Sequence, residues 1–390
     1  MSRNIIVASD SFKGSLSSLE VGRSICEGIH SLYPEDRILI VPVADGGEGT
    51  VDAILTSREG KRISRVVKGP LGQEVEASYG LIDNGKTAVI EMAEASGITL
   101  IDKEALDVMQ ASTYGTGELI KDAIEKGVSK LYIGLGGSAT NDGGIGLAAA
   151  LGIRFLDETG RFLEPIPANL SKMSSIDTRQ KMKIPANLDI ILLVDVDNPL
   201  CGERGASFVY GPQKGGKSEE LVALDQALNR YADLVSELTG RHEKEKPGAG
   251  AAGGLGFALM TFFKAKVQRG ITTILDLIGI EEKIAGADLV ITGEGHMDSQ
   301  SVNGKTPIGV AQLAKKYQVP TVAIVGGAST HLEVLYDAGI SGVFDIINQP
   351  MSLEEAVTDA PTLITNTSKN IISFYHSVIA SEKLVCAGFR

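Results

Sequence analysis

Short apolar runs and segments of helical periodicity alternate at both ends of the chain. Residues 5–8 and 38–43 are nearly continuous apolar runs, typical of strands buried in a parallel sheet, and the apolar spacing over 19–32 predicts a helix between them. The same alternation returns near the other end of the chain, where strands are predicted over 289–292 and 321–325. This β-α-β pattern indicates a parallel sheet covered by helices.

The middle of the chain follows a different pattern. Two turn signals, Gly69-Pro-Leu-Gly72 and Asn84-Gly85, separate β-rich runs, which predicts antiparallel strands. Apolar runs over 130–133 and 190–194 predict further strands, and the amphipathic segment 219–238 predicts a long helix. The middle of the chain is therefore expected to have mixed α/β character.

Together these patterns predict the α/β class with two domains. We expect a Rossmann-like parallel-sheet domain made from both chain ends, residues 1–64 plus 285–390. A mixed α/β domain, residues 65–284, would be inserted into it. Ligands of open parallel sheets bind beyond the carboxyl ends of the strands, so the candidate chemistry is sought there first.

Charge and cysteine content argue against several classes of protein. The 390 residues carry a formal net charge of −12 with no long basic run, whereas nucleic-acid binding rests on Lys and Arg neutralising phosphates. No run of about eighteen apolar residues occurs, so no membrane span is expected. Cys26, Cys201 and Cys386 are widely spaced and fit neither a disulfide framework nor a zinc site. We expect a cytoplasmic protein.

Glycine is the most informative part of the composition. The chain has 46 glycines in 390 residues, about 12% against a background of roughly 7%. They cluster after apolar runs, where backbone amides can approach a ligand closely. Two clusters, Asp10-Ser-Phe-Lys-Gly14 and Ala44-Asp-Gly-Gly-Glu-Gly-Thr50, also carry carboxylates suited to magnesium binding or proton abstraction. The alternative is an ordinary strand-to-helix turn with a capping residue.

A third cluster, Gly134-Leu-Gly-Gly-Ser-Ala-Thr-Asn-Asp-Gly-Gly-Ile-Gly146, contains a formal dinucleotide fingerprint. Gly134-x-Gly136-x-x-Ala139 follows a predicted strand, and Asp157 lies near the spacing of a ribose-binding acid. A helix starting there would, however, contain three further glycines, each costing about 1 kcal/mol relative to Ala. We therefore expect a ligand-binding loop here rather than a Rossmann helix.

The segment Gly211-Pro-Gln-Lys-Gly-Gly-Lys-Ser218 fits the P-loop pattern letter for letter, between the strand-like Phe208-Val-Tyr210 and a predicted helix. Two features count against a true P-loop. The acidic strand end that would hold magnesium lies upstream, and Pro212 lacks an amide for the phosphate cradle. We expect Ser218 to be the N-cap of the following helix and Lys217 to be a solvated side chain.

Two more segments combine glycine with other small or polar residues. Gly293-Glu-Gly-His-Met-Asp-Ser-Gln-Ser-Val-Asn-Gly-Lys-Thr306 follows a predicted strand and is full of ligand-type side chains, although His296 has no second histidine nearby and is expected to be a bystander. Gly248-Ala-Gly-Ala-Ala-Gly-Gly-Leu-Gly256 precedes a predicted helix, so an anion site or close helix packing would explain it.

Taken in order, these clusters resemble the bacterial glycerate kinase family, type 1. The resemblance spans nearly the whole chain and rests on Asp10-Ser-Phe-Lys-Gly-Ser, Ala44-Asp-Gly-Gly-Glu-Gly-Thr, Gly136-Gly-Ser-Ala-Thr-Asn-Asp-Gly-Gly, Asp195-Val-Asp-Asn-Pro-Leu200, Gly211-Pro-Gln-Lys-Gly215, Gly248-Ala-Gly-Ala-Ala-Gly-Gly-Leu-Gly256 and Thr292-Gly-Glu-Gly-His-Met-Asp-Ser-Gln-Ser301. It implies transfer of the ATP γ-phosphoryl group to D-glycerate with magnesium, giving 2-phosphoglycerate. It also implies two α/β domains with the active site in the cleft between them. The family pattern stops at Gly215, which marks the P-loop match as accidental.

Roles for particular residues follow from phosphoryl transfer, in which catalysis is mostly positioning and charge neutralisation. We expect Lys13 to bind the glycerate carboxylate and Asp45 to accept the proton of the attacking hydroxyl. Asp195 is a further expected catalytic residue and, with Asp298, an expected magnesium ligand. The expected substrate-binding residues are Asp10, Ser11, Lys13 and Asp298. The expected phosphate- and nucleotide-binding residues are Gly46, Gly47, Gly136, Gly137, Ser138, Thr140, Asn141, Lys214, Gly293 and Gly295.

Two other functions stay open from the sequence. The fingerprint Gly134–Ala139 would suit an NAD-dependent dehydrogenase. A non-catalytic phospholigand-binding protein would use the same glycine loops, although a pure anion trap would prefer Lys and Arg to the Asp residues found here. The expected partners are D-glycerate and ATP, and the protein is expected to be a monomer or homodimer.

Overall fold

The computed structural model describes residues 2–297, 305–329 and 332–388, with side chains described as far as residue 381. The strands, in chain order, are β1 (Asn4–Val7), β2 (Arg37–Ile40), β3 (Gly60–Lys68), β4 (Glu74–Ile82), β5 (Thr87–Glu91), β6 (Lys130–Gly134), β7 (Arg154–Leu156), β8 (Ser175–Asp177), β9 (Asp189–Leu193), β10 (Lys266–Gln268), β11 (Leu289–Glu294), β12 (Thr321–Val325) and β13 (Ile340–Asp345). The α-helices are α1 (Ser18–His30), α2 (Thr50–Ser57), α3 (Ala93–Ser96), α4 (Tyr114–Glu125), α5 (Ile145–Ala150), α6 (Ala206–Tyr210), α7 (Ser218–Thr239), α8 (Ala251–Phe263), α9 (Gly270–Ile278), α10 (Ile280–Ala285), α11 (Thr306–Lys316), α12 (Glu333–Asp337), α13 (Leu353–Thr358) and α14 (Ala360–Gly388).

The chain divides into two compact units. Unit 1 contains Met1–Asp45, Asp52–Ser57 and Ile274–Arg390, and unit 2 contains Gly46–Val51 and Arg58–Thr273. The predicted class is confirmed, because a parallel-sheet unit is made from both chain ends and a mixed α/β unit is inserted into it. The predicted boundaries near residues 65 and 285 fall within β3 and at the end of α10, and they stay predictions.

Unit 1 is built on a five-stranded sheet in the order β13-β12-β11-β1-β2, in which every pair is parallel. Successive residues of β12 face opposite sides of it, as the pleat requires. Ile324 joins the core that α1 and α14 cover, whereas Ala323 and Val325 join the core that α11 and α12 cover. Helices on both faces bury the apolar runs, which is why those runs read as continuous rather than alternating.

Unit 2 is built on a six-stranded mixed sheet in the order β10-β9-β6-β5-β4-β3. Strands β3, β4 and β5 are antiparallel, as the two turn signals predicted, and β5, β6, β9 and β10 are parallel. Strands β7 and β8 form a separate antiparallel pair. The large core of this unit includes Tyr79, Tyr231 and Phe257, which are almost completely buried.

The carboxyl ends of the parallel strands carry the loops singled out from the sequence. In unit 1, residues 9–14 follow β1, residues 41–45 follow β2, and residues 295–297 follow β11. In unit 2, the glycine-rich segment 135–144 follows β6, and Asp195 lies just beyond β9. Among the helices described, none is both long and apolar enough to cross a membrane.

Candidate active site

A cavity of about 410 Å³ lies at the carboxyl edge of the unit 1 sheet. Its polar lining is Asp10, Ser11, Lys13, Ser15, Asp45, Glu294, His296 and Lys305, with the backbone of Gly295 and Gly326. Its apolar lining is Phe12, Ile346, Leu353, Ala356, Val357 and Ala360. The structure thus brings four of the predicted catalytic and substrate-binding residues, Asp10, Ser11, Lys13 and Asp45, to one cavity together with the predicted phosphate-binding Gly295.

Asp10 is a carboxylate of this cavity whose pKa is strongly raised. Its side chain is buried, and its Oδ1 accepts from the Ser11 amide at 2.7 Å while its Oδ2 accepts from the Thr306 hydroxyl at 2.8 Å. Burial, and then the negative charge of Asp45, raise the pKa of Asp10 to about 7, although the hydrogen bonds and Lys13 oppose the change. A carboxyl group with this pKa can exchange a proton near neutrality.

Asp10 is placed by the strand that precedes it and by its neighbour in the sheet. The Asp10 amide donates to the Gly293 carbonyl at 2.9 Å, which continues the β1–β11 ladder past the end of β1. A Cβ at Gly293 would lie 2.2 Å from the Ile324 carbonyl oxygen, so only glycine fits in β11 at this point. Close strand packing therefore accounts for Gly293, and its predicted contact with phosphate stays a prediction.

Two lysines line the cavity, and their surroundings differ. Lys13 is exposed, and its charge lowers the pKa of Asp10. Lys305 lies 3.2 Å from a Glu294 carboxylate oxygen and 3.3 Å from the His296 carbonyl oxygen. An exposed lysine beside two aspartates suits a small anionic substrate, because the lysine neutralises the substrate charge while the aspartates handle its hydroxyl groups.

In unit 2, the glycines of the supposed dinucleotide fingerprint serve close backbone packing. A Cβ at Gly134 would lie 2.1 Å from the Gly46 carbonyl oxygen, and one at Gly136 would lie 2.7 Å from the Gly47 Cα. The next helix, α5, begins only at Ile145, so the expected loop is confirmed and the helix of a Rossmann fingerprint is absent here. The dehydrogenase interpretation loses its structural basis.

Several of the predicted nucleotide-binding residues meet around Lys214. Its Nζ donates to the Ser138 hydroxyl at 2.8 Å and to the Thr140 carbonyl at 2.7 Å, and Lys214 itself is buried. Burial lowers the pKa of Lys214 to about 7, although the charge of Asp142 opposes the change. Asn141, also buried, donates to the Ser207 hydroxyl at 2.9 Å. Lys214 therefore holds the glycine-rich segment in shape, and its contact with a phosphate stays a prediction.

Two buried carboxylates, Asp142 and Glu91, hold the glycine-rich loops of unit 2 by hydrogen bonds to backbone amides. Neither of them was assigned a role from the sequence. Asp142 accepts from the amide and hydroxyl of Thr113 and from the amides of Gly144 and Gly146. Glu91, at the end of β5, accepts from the amides of Gly49 and Val51 at 3.1 and 2.5 Å. A lone acid ending an apolar strand was the available signal for Glu91. The amides of Gly49 and Val51, at the start of α2, therefore donate to Glu91 rather than to a phosphate.

Of the two predicted magnesium ligands, Asp195 and Asp298, the structure describes only Asp195. Asp195 accepts from the amides of Gly270 and Ile271 at 3.0 and 3.3 Å, so it caps the N-terminus of α9. Asp298 lies outside the described residues. Among the residues described, no group of three or more His, Cys, Asp or Glu side chains could hold a metal ion. Both metal assignments stay predictions.

The segment resembling a P-loop has the wrong local structure for one. Phe208–Tyr210 belongs to the helix α6 rather than to a strand, which corrects the sequence expectation. The N-cap of α7 is Lys217 rather than Ser218, and the Lys217 amide donates to the Glu220 carboxylate at 2.9 Å. The cap moves by one residue because Glu220 then stands at the third helical position, from which its carboxylate reaches back.

Replacing the two lysines of this segment should have unequal effects. Lys217 is exposed, so we expect Lys217→Ala to keep turnover and the KM for ATP within a few-fold of the parent. Lys214→Met should lower activity by more, because it removes two buried hydrogen bonds that shape the glycine-rich segment, each worth about 0.5–1.5 kcal/mol or more. Steady-state kinetics on both variants measure this, and a collapse with Lys217→Ala alone would restore the P-loop interpretation.

Comparison with known proteins shows which proteins this chain is similar to. Residues 5–376 match the model of the glycerate kinase family. A glycerate kinase of Bacillus subtilis is 45% identical over 94% of this chain and 96% of its own length. A glycerate 2-kinase of Escherichia coli is 43% identical over 94% of this chain and 97% of its own length. The crystal structure of a protein from Salmonella typhimurium LT2, described as a glycerate kinase 2, superimposes with a TM-score of 0.82 at 41% identity, covering 97% of this chain and 100% of that one.

Proposed function

Because the chain belongs to the glycerate kinase family, we propose that it transfers the γ-phosphoryl group of ATP to the 2-hydroxyl of D-glycerate, giving 2-phosphoglycerate and ADP. The observation that carries the chemistry is the unit 1 cavity, where Asp10, Asp45 and Lys13 share one lining. The 2-hydroxyl rather than the 3-hydroxyl is proposed on the name of the E. coli relative.

Glycerate binds in this proposal with its carboxylate toward Lys13 and its hydroxyl groups toward Asp10, Ser11 and Asp45. Asp45 accepts the proton of the 2-hydroxyl as that oxygen bonds to the γ-phosphorus, and the bond from the γ-phosphorus to the bridging oxygen of ADP breaks. Asp10 accepts a hydrogen bond from a substrate hydroxyl, held in place by Thr306 and Ser11. Such a fixed geometry supplies much of the catalysis in phosphoryl transfer.

The phosphates of ATP are proposed to meet backbone amides of the glycine loops. The candidates carried over from the sequence are Gly46, Gly47, Gly136, Gly137, Ser138, Thr140, Asn141, Lys214, Gly293 and Gly295. The left-handed conformation of Gly46 and Gly137 supports this for those two, because such turns point successive amides to one side. The amides of Gly49 and Val51 are excluded from the set, since Glu91 occupies them.

Magnesium is proposed to accompany ATP. The residues present suit it in kind, because magnesium prefers carboxylate oxygens and commonly takes only one or two from the protein, with phosphates and waters completing the set. Asp195 and Asp298 remain the proposed ligands. When bound, the ion neutralises charge on the β- and γ-phosphates.

The proposal is tested by ADP formation from ATP with D-glycerate and magnesium. We expect turnover that depends on all three, a much slower reaction with L-glycerate, and a phosphorus NMR signal of 2-phosphoglycerate. NADH binding measured in parallel addresses the dehydrogenase alternative. Pure folded protein without glycerate-dependent ADP release would overturn the kinase proposal, and a 3-phosphoglycerate signal would overturn the regiochemistry alone.

Lys13→Ala is expected to weaken glycerate binding more than turnover. Loss of one charge-assisted contact to a carboxylate should raise the KM for glycerate by about 10- to 100-fold, with the KM for ATP changed far less. Lys103→Ala changes an exposed lysine that is not part of the cavity lining; it is the control and should match the parent. An unchanged KM for glycerate in Lys13→Ala would remove Lys13 from the substrate site.

A further inference from the structure

One side of the unit 1 cavity, called the wall below, is apolar and has no evident role in binding glycerate. Leu353, Ala356, Val357 and Ala360 all line it. Their spacing of three, four and seven residues places them on one face of the helical segment formed by α13 and the start of α14. Glycerate bears an oxygen on every carbon, so it has almost no apolar surface to offer this face.

The part of the wall that belongs to α13 is exposed in a way that ordinary packing does not explain, whereas Ala360 is buried in the core. Helix α13 has no buried residue, and Leu353 is 80% exposed. Exposed large apolar side chains that line a cavity beside polar groups are typical of a ligand site. The volume agrees, because about 410 Å³ falls within the range of roughly 300–1,000 Å³ of sites for ligands much larger than glycerate.

The wall is also fixed to the loop that carries the candidate chemistry. The Ser15 hydroxyl donates to the Val357 carbonyl at 2.9 Å, which joins α13 to the loop containing Asp10 and Lys13. The Phe12 amide and carbonyl both pair with Leu16, so this loop is itself held by backbone hydrogen bonds. A ligand on the wall therefore lies in the same cavity as the charged groups, and not at a separate surface.

We propose that the face of Leu353, Ala356, Val357 and Ala360 binds the adenine base of ATP. This rests on the proposed function, which requires a nucleotide near the glycerate hydroxyl. Adenine is a neutral, flat ring that gains from burial against aliphatic side chains, whereas the triphosphate requires the polar groups and amides. The division of the cavity into apolar and polar lining matches this division of the nucleotide.

A single introduced tryptophan tests the proposal directly. The chain contains no tryptophan, so Leu353→Trp has one such fluorophore, at a position exposed enough to accept it. We expect ATP and ADP to change its emission saturably, because the base stacks on the indole ring. Inorganic tripolyphosphate, which lacks the base, and glycerate should leave the emission unchanged. Val334→Trp, at an exposed valine of α12 outside the cavity lining, is the control and should respond to none of them.

Steady-state kinetics of a variant whose wall is made polar give an independent test of the adenine site. Leu353→Ser combined with Val357→Ser should raise the KM for ATP by about five- to tenfold, because the base loses apolar contact, and leave the KM for glycerate within twofold. Val334→Ser should match the parent.

The outcomes separate this inference from the proposed function. An active kinase in which the tryptophan ignores ATP, or responds equally to tripolyphosphate, would overturn the adenine site and leave the kinase proposal standing. A rise in the KM for glycerate alone would assign the wall to the organic acid instead. Absence of glycerate-dependent ADP release in the parent protein would overturn the proposed function itself.

Discussion

Asp45→Asn is expected to lower turnover by about 10²–10⁴-fold with the fold intact, the usual contribution of a positioned general base. Asparagine keeps the size of the side chain and can still accept a hydrogen bond, but it cannot take up the proton of the attacking hydroxyl. The KM for ATP should change little. Single-turnover measurements of ADP formation would report the chemical step directly.

A matched control for Asp45 stands in the same loop. Glu48 is exposed and does not line the cavity, so Glu48→Gln removes an equal charge from the loop without touching the site. It should keep turnover within a few-fold. Near-normal turnover in Asp45→Asn, or an equal loss in both variants, would refute the role of Asp45 as the base. The variant has a second effect, because loss of the Asp45 charge should lower the pKa of Asp10.

Asp10→Asn is expected to lower activity by about 10- to 100-fold, the loss of one charged hydrogen-bonding partner, and to raise thermal stability at pH 8. The pKa of Asp10 rises from an unfolded value of 3.8 to about 7 in the folded protein, mainly through burial. Between these two values the folded state holds a proton that the unfolded state has lost, so stability falls as the pH rises from about 4 to about 7. Above about pH 7 the folded protein carries the full free-energy cost of ionising the buried Asp10. Asparagine has no charge and removes that cost.

Melting temperatures of the parent and Asp10→Asn across pH 4–8 measure this effect. The difference should be smallest near pH 4 and grow toward pH 8. Thr306→Val provides the matched test of the pKa, since the Thr306 hydroxyl lowers the pKa of Asp10 and its loss should shift the acidic limb of the pH–rate profile upward. Thr306→Ser keeps the hydroxyl and should restore the parent profile. A stability difference that is constant with pH would contradict the pKa assigned to Asp10.

A gain in stability from losing a functional carboxylate would have a clear physical meaning. Burial of Asp10 and the negative charge of Asp45 both oppose the ionisation of Asp10, which raises its pKa. Sites arranged for chemistry commonly cost stability in this way. The same reasoning covers Lys214, whose pKa is lowered by burial, although there the amine supports a loop rather than lining the cavity.

Local sequence patterns predicted the regular elements well where one physical period dominates. The run predicted as a strand over 321–325 is β12 with the same bounds, and the helix predicted over 219–238 is α7 within one residue at each end. Strand β13 was not predicted, because it lies at the sheet edge and Ser341 and Gly342 interrupt its apolar residues. Phe208–Tyr210 was misread as a strand, because β-branched and aromatic residues there are outweighed by packing of α6.

The sequence by itself determined the α/β class, the family and the loops in which chemistry is expected, since these depend on local periodicity and on motifs read along the chain. Only the tertiary structure decided how those loops are built. The Thr306 hydroxyl donates to Asp10 across 296 positions, and Glu91 accepts from the amides of Gly49 and Val51 from about forty positions away. The backbone of residues 46–47 approaches Gly134 and Gly136 so closely that neither position has room for a Cβ atom. Such contacts join segments whose approach is set by packing of the whole unit, and no period or spacing in the sequence encodes them.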